Sequence, residues 1–269
     1  MLGKRLLTAL VAIPAIILIV FHSGHIGFSI FILCVVGVGL YEYLSFLYPE
    51  KFNVQICTHV LLGLTLPVAF YVGFPDLIVP TLSFVLVCTM AFSLFRVTDP
   101  QKKAQNLFIR TFGILYIAFL LSFLIPVHAL PHGPWWALLA IGINFGSDAG
   151  GYFAGRFLGK HKLYPVISPK KTVEGSLGGM LGAFLVVLVF KYIHFDMFRY
   201  LDVVMLGVVG AMFAILGDMV ESLIKRGFAV KDAGGILPGH GGIMDRIDSF
   251  VFSLPFIYYY ALYISNLNL

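Results

Sequence analysis

Charge is what this sequence has least of. Only 12% of its 269 residues are Asp, Glu, Lys or Arg, against 59% hydrophobic, and the mean hydropathy is +0.96. That balance excludes a soluble globular domain. Cysteine is scarce as well: Cys34, Cys57 and Cys88 stand far apart in apolar stretches, with no Cys-x-x-Cys pair and no histidines at ligand spacing. They read as packing residues and report no redox compartment. The period-2 alternation of a membrane barrel is absent, so helices must satisfy the backbone in hydrocarbon. No nucleophilic Ser-His-Asp or Cys-His arrangement is evident. No repeat of helix-breaking polar motifs relates the two halves, which weakens an inverted-repeat transporter reading.

What the chain does have is apolar segments, nine of them: about 6–21, 26–47, 56–74, 77–95, 107–128, 135–157, 177–193, 203–224 and 247–264. Turn formers such as Pro49, Pro75, Pro100, Pro131 and Gly133 fall between them. The first has the outline of a signal peptide, but Ser23, Gly24 and His25 make a weak cleavage site and more apolar segments follow at once. It reads as an anchor. The expected fold is therefore all-α, a polytopic membrane protein of about nine transmembrane helices.

Cations set the orientation, because Lys and Arg are retained on the cytoplasmic side. With Lys4 and Arg5 inside, alternate loops collect sixteen of the eighteen cations on that side, leaving Lys191 and Arg199 outside. A wrong span count would scramble such a division, so the N-terminus is expected in the cytoplasm and the C-terminus outside. Residues 1–131 carry little polar content beyond Glu42 and the loop charges, and read as scaffold; residues 132–269 are expected to carry the chemistry, with two cytoplasmic loops rich in Gly and Lys.

Ionisable groups inside membrane helices cost at least about 2.5 kcal/mol at the centre and are functional candidates by default. Asn144 and Asp148 share a helix face, and Gly151 and Gly155 permit close helix contact. Asp218, Glu221, Ser222 and Lys225 form one stripe at the end of the eighth segment. Asp245 and Asp248 share a face at the start of the ninth. Mg²⁺ prefers a few carboxylates plus phosphate oxygens and water, and Asp218 and Asp245, with Asp248 or Asp148, would supply them.

The segment between these acids is rich in glycine, which lets backbone approach phosphate, while Lys225, Arg226, Lys231 and Arg246 offset phosphate charge. It lacks the Gly-Lys-Ser/Thr of a P-loop. His240 in the same segment is placed to orient a phosphate or to pack the loop. In the other loop, Ser168 before Pro169 predicts a helix start that sets Lys170 and Lys171 beside free amides. Phosphate oxygen is itself a nucleophile, so positioning, a metal and cations suffice for transfer chemistry.

The run Ser222-Leu-Ile-Lys225-Arg226, Lys231-Asp232, then Pro238-Gly-His240-Gly-Gly-Ile-Met-Asp245-Arg246-Ile-Asp248 closely resembles the signature of the phosphatidate cytidylyltransferases, also called CDP-diacylglycerol synthases. Ser147-Asp148 and Ser168-Pro-Lys170-Lys171-Thr172 with Gly175 resemble that family's upstream motifs, and the similar layout extends over essentially the whole chain. The resemblance implies a homodimeric enzyme of the bacterial cytoplasmic membrane with an intramembrane pocket open to cytosol and lipid. In it the phosphatidic acid phosphate attacks the α-phosphorus of CTP and diphosphate leaves. By the same resemblance Asp218 and Asp245 are the first Mg²⁺ ligands, Asp148 and Asp248 further ones, and K⁺ shares the site. Asp218, Asp245, Lys225 and Arg226 are the expected catalytic set. Ser147, Ser168, Lys170, Lys171, Ser222, Lys231, His240 and Arg246 are expected to bind substrate. The rivals are a CTP-dependent lipid kinase, which would release CDP, and an ion-coupled transporter, against which the basic glycine loops argue. A CDP-alcohol phosphotransferase is disfavoured, because its Asp-Gly-(two)-Ala-Arg motif is missing.

Overall fold

The computed structural model describes residues 2–48, 53–95, 99–234 and 241–267, with side chains described between residues 10 and 263. The chain forms two compact units, Met1–Pro126 with Asp232–Arg246, and Val127–Lys231 with Ile247–Leu269.

In the first unit α1 (Leu2–His22), α2 (Gly24–Ser45), α3 (Val54–Gly73), α4 (Ile78–Leu94) and α5 (Pro100–Gly113) follow in order, and α5 runs on into a π-helical turn, Ile114–Phe119. Local chemistry starts two of these helices. Asn53 caps α3 by accepting the Gln55 N–H at 2.8 Å, and Asp99 caps α5 by accepting from Gln101 at 3.0 Å, with Pro100 in the first turn where its missing N–H costs nothing. Glycine lets the helices close up: a Cβ on Gly63 would overlap Leu40, and one on Gly113 would overlap the Tyr43 ring. The Tyr43 hydroxyl donates to the Ile109 carbonyl at 3.0 Å. Buried Arg110 donates to Gln55 Oε1 at 2.6 Å, to Ser93 Oγ and to the Tyr48 hydroxyl, tying α3, α4 and α5 together with the residues that follow α2.

A short helix α6 (Leu124–Ala129) leads into α7 (Gly133–Phe157), the hairpin β1 (Lys162–Tyr164) and β2 (Ser168–Thr172), α8 (Val173–Ile193), α9 (Tyr200–Val204) with the π turn Met205–Val209, α10 (Gly210–Gly227) and α11 (Met244–Leu267). In the second unit α7 and α8 lie in backbone contact: a Cβ on Gly150 would overlap the Gly178 carbonyl oxygen, and one on Gly182 the Gly146 carbonyl oxygen. No side chain separates them, which is the close approach that small residues permit in lipid. Asn144, fully buried on α7, donates to Ser253 Oγ on α11 at 3.1 Å and accepts from the same hydroxyl at 3.1 Å. At the far end Trp136 packs on Phe195 and Phe198, and His194 stacks on Trp135.

Each of the nine apolar segments falls on a helix. Among the described residues, five helical stretches are long and apolar enough to cross a membrane: Gly24–Ser45, Val54–Gly73, Pro100–Ala129, Val173–Ile193 and Tyr200–Gly227, with Leu10–His22 and Ile78–Leu94 as shorter apolar helices. The chain is an all-α integral membrane protein in its architecture, with one local departure from the sequence expectation. Ser168 and Pro169 do not start a helix. They lie in β2, where Tyr164 pairs with Ser168 and Lys162 with Thr172, and the helix begins four residues later. Thr172, extended at φ −127° and ψ 156°, is the cap, its Oγ1 accepting the Gly175 N–H at 3.0 Å. Proline tolerates a short strand as well as a first helical turn, and the β-branched Thr172 suits the end of a strand and a cap equally.

Candidate active site

Two glycines explain where the acids meet. Gly217 on α10 lies against the backbone of α11, so that a Cβ there would sit 2.5 Å from the Asp248 carbonyl oxygen. This contact brings Asp218 and Glu221, three apart on α10, to Asp248, and one carboxylate oxygen from each lies within 4.8 Å of the others. Gly179 on α8 likewise admits Ser147 from α7: a Cβ there would sit 2.9 Å from the Ser147 carbonyl oxygen.

Three carboxylates this close repel one another by roughly 3.5 kcal/mol per pair at an effective dielectric of about 20. Lysines counter the charge. Lys171 Nζ, carried in by β2, lies 2.5 Å from Asp218 Oδ2, and Lys225 Nζ lies 2.5 Å from Glu221 Oε2, one helical turn away on α10. Glu221 is fully buried and Asp218 partly so. Ser222 Oγ faces Asp218 Oδ1 at 3.5 Å, the outer limit of a hydrogen bond.

Beside the acids opens a cavity of about 320 Å³ walled by α7, β2, α8 and α10. Ser147, Asp148, Arg156, Lys170, Lys171 and Asp218 give it its polar lining. Arg156 is held by its donation to the Tyr152 hydroxyl at 2.7 Å. The root of the hairpin is fixed by Glu174, whose carboxylate accepts from the Lys160 amide at 3.1 Å, from the His161 amide at 3.2 Å and faces His161 Nδ1 at 2.6 Å. The cavity therefore has a rigid floor of helix backbone and a basic rim.

The structure thus brings together Asp218 and Asp248, and sets Asp148, Ser147, Lys170 and Lys171 around the cavity that Asp218 also lines. Ser168 lies in β2, partly buried. Arg226, Lys231 and Arg246 are exposed. Asp245 faces its own loop, accepting from the Ala233 amide at 3.0 Å and the Gly242 amide at 2.8 Å. His240 lies outside the described residues. The sequence sets Glu221 on the acidic stripe but does not single it out as a ligand, and it gives Arg156 and Tyr152 no place in the site. The three-residue spacing from Asp218 was the available signal for Glu221; nothing local marked the other two.

The donor set of the cluster is oxygen only, from carboxylates, which fits a hard divalent cation such as Mg²⁺ and not a thiolate- or imidazole-selective metal.

Comparison with known proteins gives matches that extend far beyond this site. The chain matches the cytidylyltransferase family over residues 3–264. It is 41% identical over 170 residues to a phosphatidate cytidylyltransferase of Staphylococcus saprophyticus, covering 62% of this chain and 65% of that protein. A phosphatidate cytidylyltransferase of Bacillus subtilis is 41% identical over 150 residues, covering 55% of this chain and 56% of the relative. One from Staphylococcus epidermidis is 42% identical over 172 residues, covering 62% and 65%. The chain spans somewhat less than two thirds of the length of these relatives.

Proposed function

The chain belongs to the cytidylyltransferase family, and from that premise we propose that it is a phosphatidate cytidylyltransferase, converting CTP and phosphatidic acid into CDP-diacylglycerol and diphosphate. The observation that carries the proposal is the acid cluster of Asp218, Glu221 and Asp248 beside a cavity rimmed by Lys170 and Lys171. Carboxylates alone suit an ion pathway, and cations alone suit a membrane surface. The two together suit a reaction between two phosphates at a metal.

In this reading Asp218, Glu221 and Asp248 hold Mg²⁺, with Asp148 and Asp245 as further candidates and K⁺ as a second cation. Bound there, the metal would withdraw charge from the CTP phosphates. A non-bridging oxygen of the lipid phosphate forms a bond to the α-phosphorus of CTP, and the bond from that phosphorus to the oxygen leading to the β-phosphorus breaks. Diphosphate carries away the electron pair, and no proton need be removed from the nucleophile. The chain's own residues make this possible by position and charge. Lys170, Lys171, Lys225, Arg226, Lys231 and Arg246 offset the charge of two phosphate-bearing substrates. Ser147, Ser168, Ser222 and His240 offer hydrogen bonds to phosphate oxygens. Lys171 and Lys225 pair with Asp218 and Glu221, and with a metal held by those acids the two ammonium groups would be available to substrate phosphate.

The site serves a cytosolic nucleotide in this reading, and the nine apolar segments and the cation distribution support a chain that crosses the bacterial cytoplasmic membrane about nine times with its N-terminus inside. Residues 1–131 act as scaffold, 132–269 carry the catalytic helices, and two copies pair as a homodimer. The division of the eighteen cations, sixteen on one side and two on the other, supports that orientation.

One assay tests the activity. Purified protein receives phosphatidic acid, Mg²⁺ and CTP labelled in the cytosine. Label in the lipid product supports the transfer; label released as CDP makes the chain a CTP-dependent lipid kinase; CTP left intact favours an ion-coupled transporter.

A further inference from the structure

Among the described residues, the first half of the chain has one buried acid that the proposed chemistry does not use. Glu42 sits on α2 with 3% of its surface exposed, a position where a carboxylate is costly unless it is hydrogen-bonded. Its Oε2 accepts the backbone N–H of Met244 at 2.9 Å, across 202 residues of sequence. Met244 is the first residue of α11, so its amide is one of the donors that a helix leaves without an internal partner.

The surroundings of Glu42 are shaped to receive it. A Cβ on Gly242 would lie 2.5 Å from Oε2 and 2.7 Å from Oε1, and a Cβ on Gly234 would overlap Oε1. Both glycines belong to the segment that the sequence suggests for close backbone approach to phosphate. Their lack of a side chain here lets a carboxylate lie against the chain. Asp245 grips the same segment from the other side, through the Ala233 and Gly242 amides. Gly241 completes the turn at φ +81°, and a Cβ there would meet Asp245 Oδ2 at 2.7 Å. Two carboxylates therefore hold three amides of this segment, Asp245 those of Ala233 and Gly242 and Glu42 that of Met244.

We infer that Glu42 is a positioning residue: it caps α11 from α2 and thereby fixes the segment that bears Asp245 and Arg246. A negative charge at a helix N-terminus gains from the macrodipole as well as from the hydrogen bond. The contribution is geometric: Glu42 acts through the Met244 amide that it accepts from. The kinetic part of the test rests on the proposed transferase activity; the structural part does not.

The experiment compares wild type, Glu42→Ala and Glu42→Gln as full-length protein in nanodiscs, by amide hydrogen exchange and by CTP-to-lipid transfer. Glutamine keeps an oxygen acceptor of the same reach, whereas alanine removes it. Glu42→Ala is expected to speed exchange of the amides of residues 232–234 and 241–244 at least 10-fold while α7 and α8 exchange as in wild type, and to lower kcat at least 10-fold with the KM for phosphatidic acid within 2-fold. Glu42→Gln should recover wild-type exchange within about 3-fold and most of kcat. Unchanged exchange at those amides in Glu42→Ala overturns the inference. So does faster exchange spread evenly over the chain, which would make Glu42 a general stabiliser, or a loosened segment with kcat unaltered. If wild-type protein transfers no label to lipid, the activity fails, and the exchange comparison still decides whether Glu42 caps α11.

Discussion

Adjacent glycines on α7 should respond oppositely to the same substitution. Gly150→Ala puts a methyl group into the Gly178 carbonyl oxygen, with the Gly182 Cα 3.2 Å away as a second obstacle. Both obstacles are backbone, and neither can rotate aside. An ordinary carbon–oxygen contact is about 3.3 Å, so α7 and α8 must part by roughly 1 Å at this level, an overpacking that costs about 1–3 kcal/mol. Gly151→Ala meets only the Gly175 carbonyl oxygen at 3.4 Å, an ordinary contact, and gains up to about 1 kcal/mol of helix propensity.

The functional consequence follows from what the two helices hold. α7 carries Ser147 and Asp148, and α8 begins at the cap that ends β2, the strand bearing Lys170 and Lys171. Displacing reacting groups by about 1 Å costs on the order of 100-fold in rate. Gly150→Ala should therefore lower the melting temperature in detergent by several degrees and kcat by 10- to 100-fold, while Gly151→Ala keeps both near wild type. Thermal unfolding followed by fluorescence and the labelled-CTP assay read the two effects on one preparation. Equal behaviour of the two variants, or a fully active Gly150→Ala, would refute the claim that backbone contact between α7 and α8 sets the cavity.

Further outcomes are expected elsewhere. Ser253→Ala removes the hydroxyl that both donates to and accepts from Asn144, and should destabilise the protein by about 0.6–2 kcal/mol, read as a lower denaturation midpoint, with kcat within 2-fold. Thr172→Val keeps the β-branched shape but loses the acceptor for the Gly175 N–H, so about 1 kcal/mol should be lost, whereas Thr172→Ser should retain most of it. Burial, then the neighbouring His132, pulls the His194 imidazole below its usual value, with Asp196 opposing. Between the lowered and the ordinary histidine values the unfolded chain holds the extra proton, so acidification through about pH 6.5 should favour unfolding. Melting temperatures from pH 8 to pH 5.5 should fall more for wild type than for His194→Gln; parallel curves would exclude His194 as the cause.

The helices were legible because apolar length and flanking cations speak about each segment separately. The stripe of Asp218, Glu221, Ser222 and Lys225 was legible for a similar reason, since helical periodicity alone puts those residues on one face. The hairpin was not. Ser168 and Thr172 both have the side chain of a helix cap, and choosing between them depends on whether β2 finds a partner strand, here Lys162–Tyr164. The pairings of Lys171 with Asp218 and of Glu42 with the Met244 amide were beyond reach as well, since each joins elements that only tertiary packing brings together. Glycine was ambiguous in an instructive way. Gly217 and Gly179 are needed where backbones touch, Gly234 and Gly242 where a carboxylate lies against the chain, and the sequence writes all four alike.

The proposed chemistry depends most directly on the cation that Asp218, Glu221 and Asp248 are proposed to hold. Mn²⁺ is visible by electron paramagnetic resonance and competes with Mg²⁺ for carboxylate sites, so its binding to the purified protein can be titrated without substrate. Wild type should bind Mn²⁺ in a form displaced by Mg²⁺, and Asp218→Asn and Asp248→Asn should each weaken binding at least 10-fold while the protein remains folded. Wild-type Mn²⁺ affinity in both variants would contradict it.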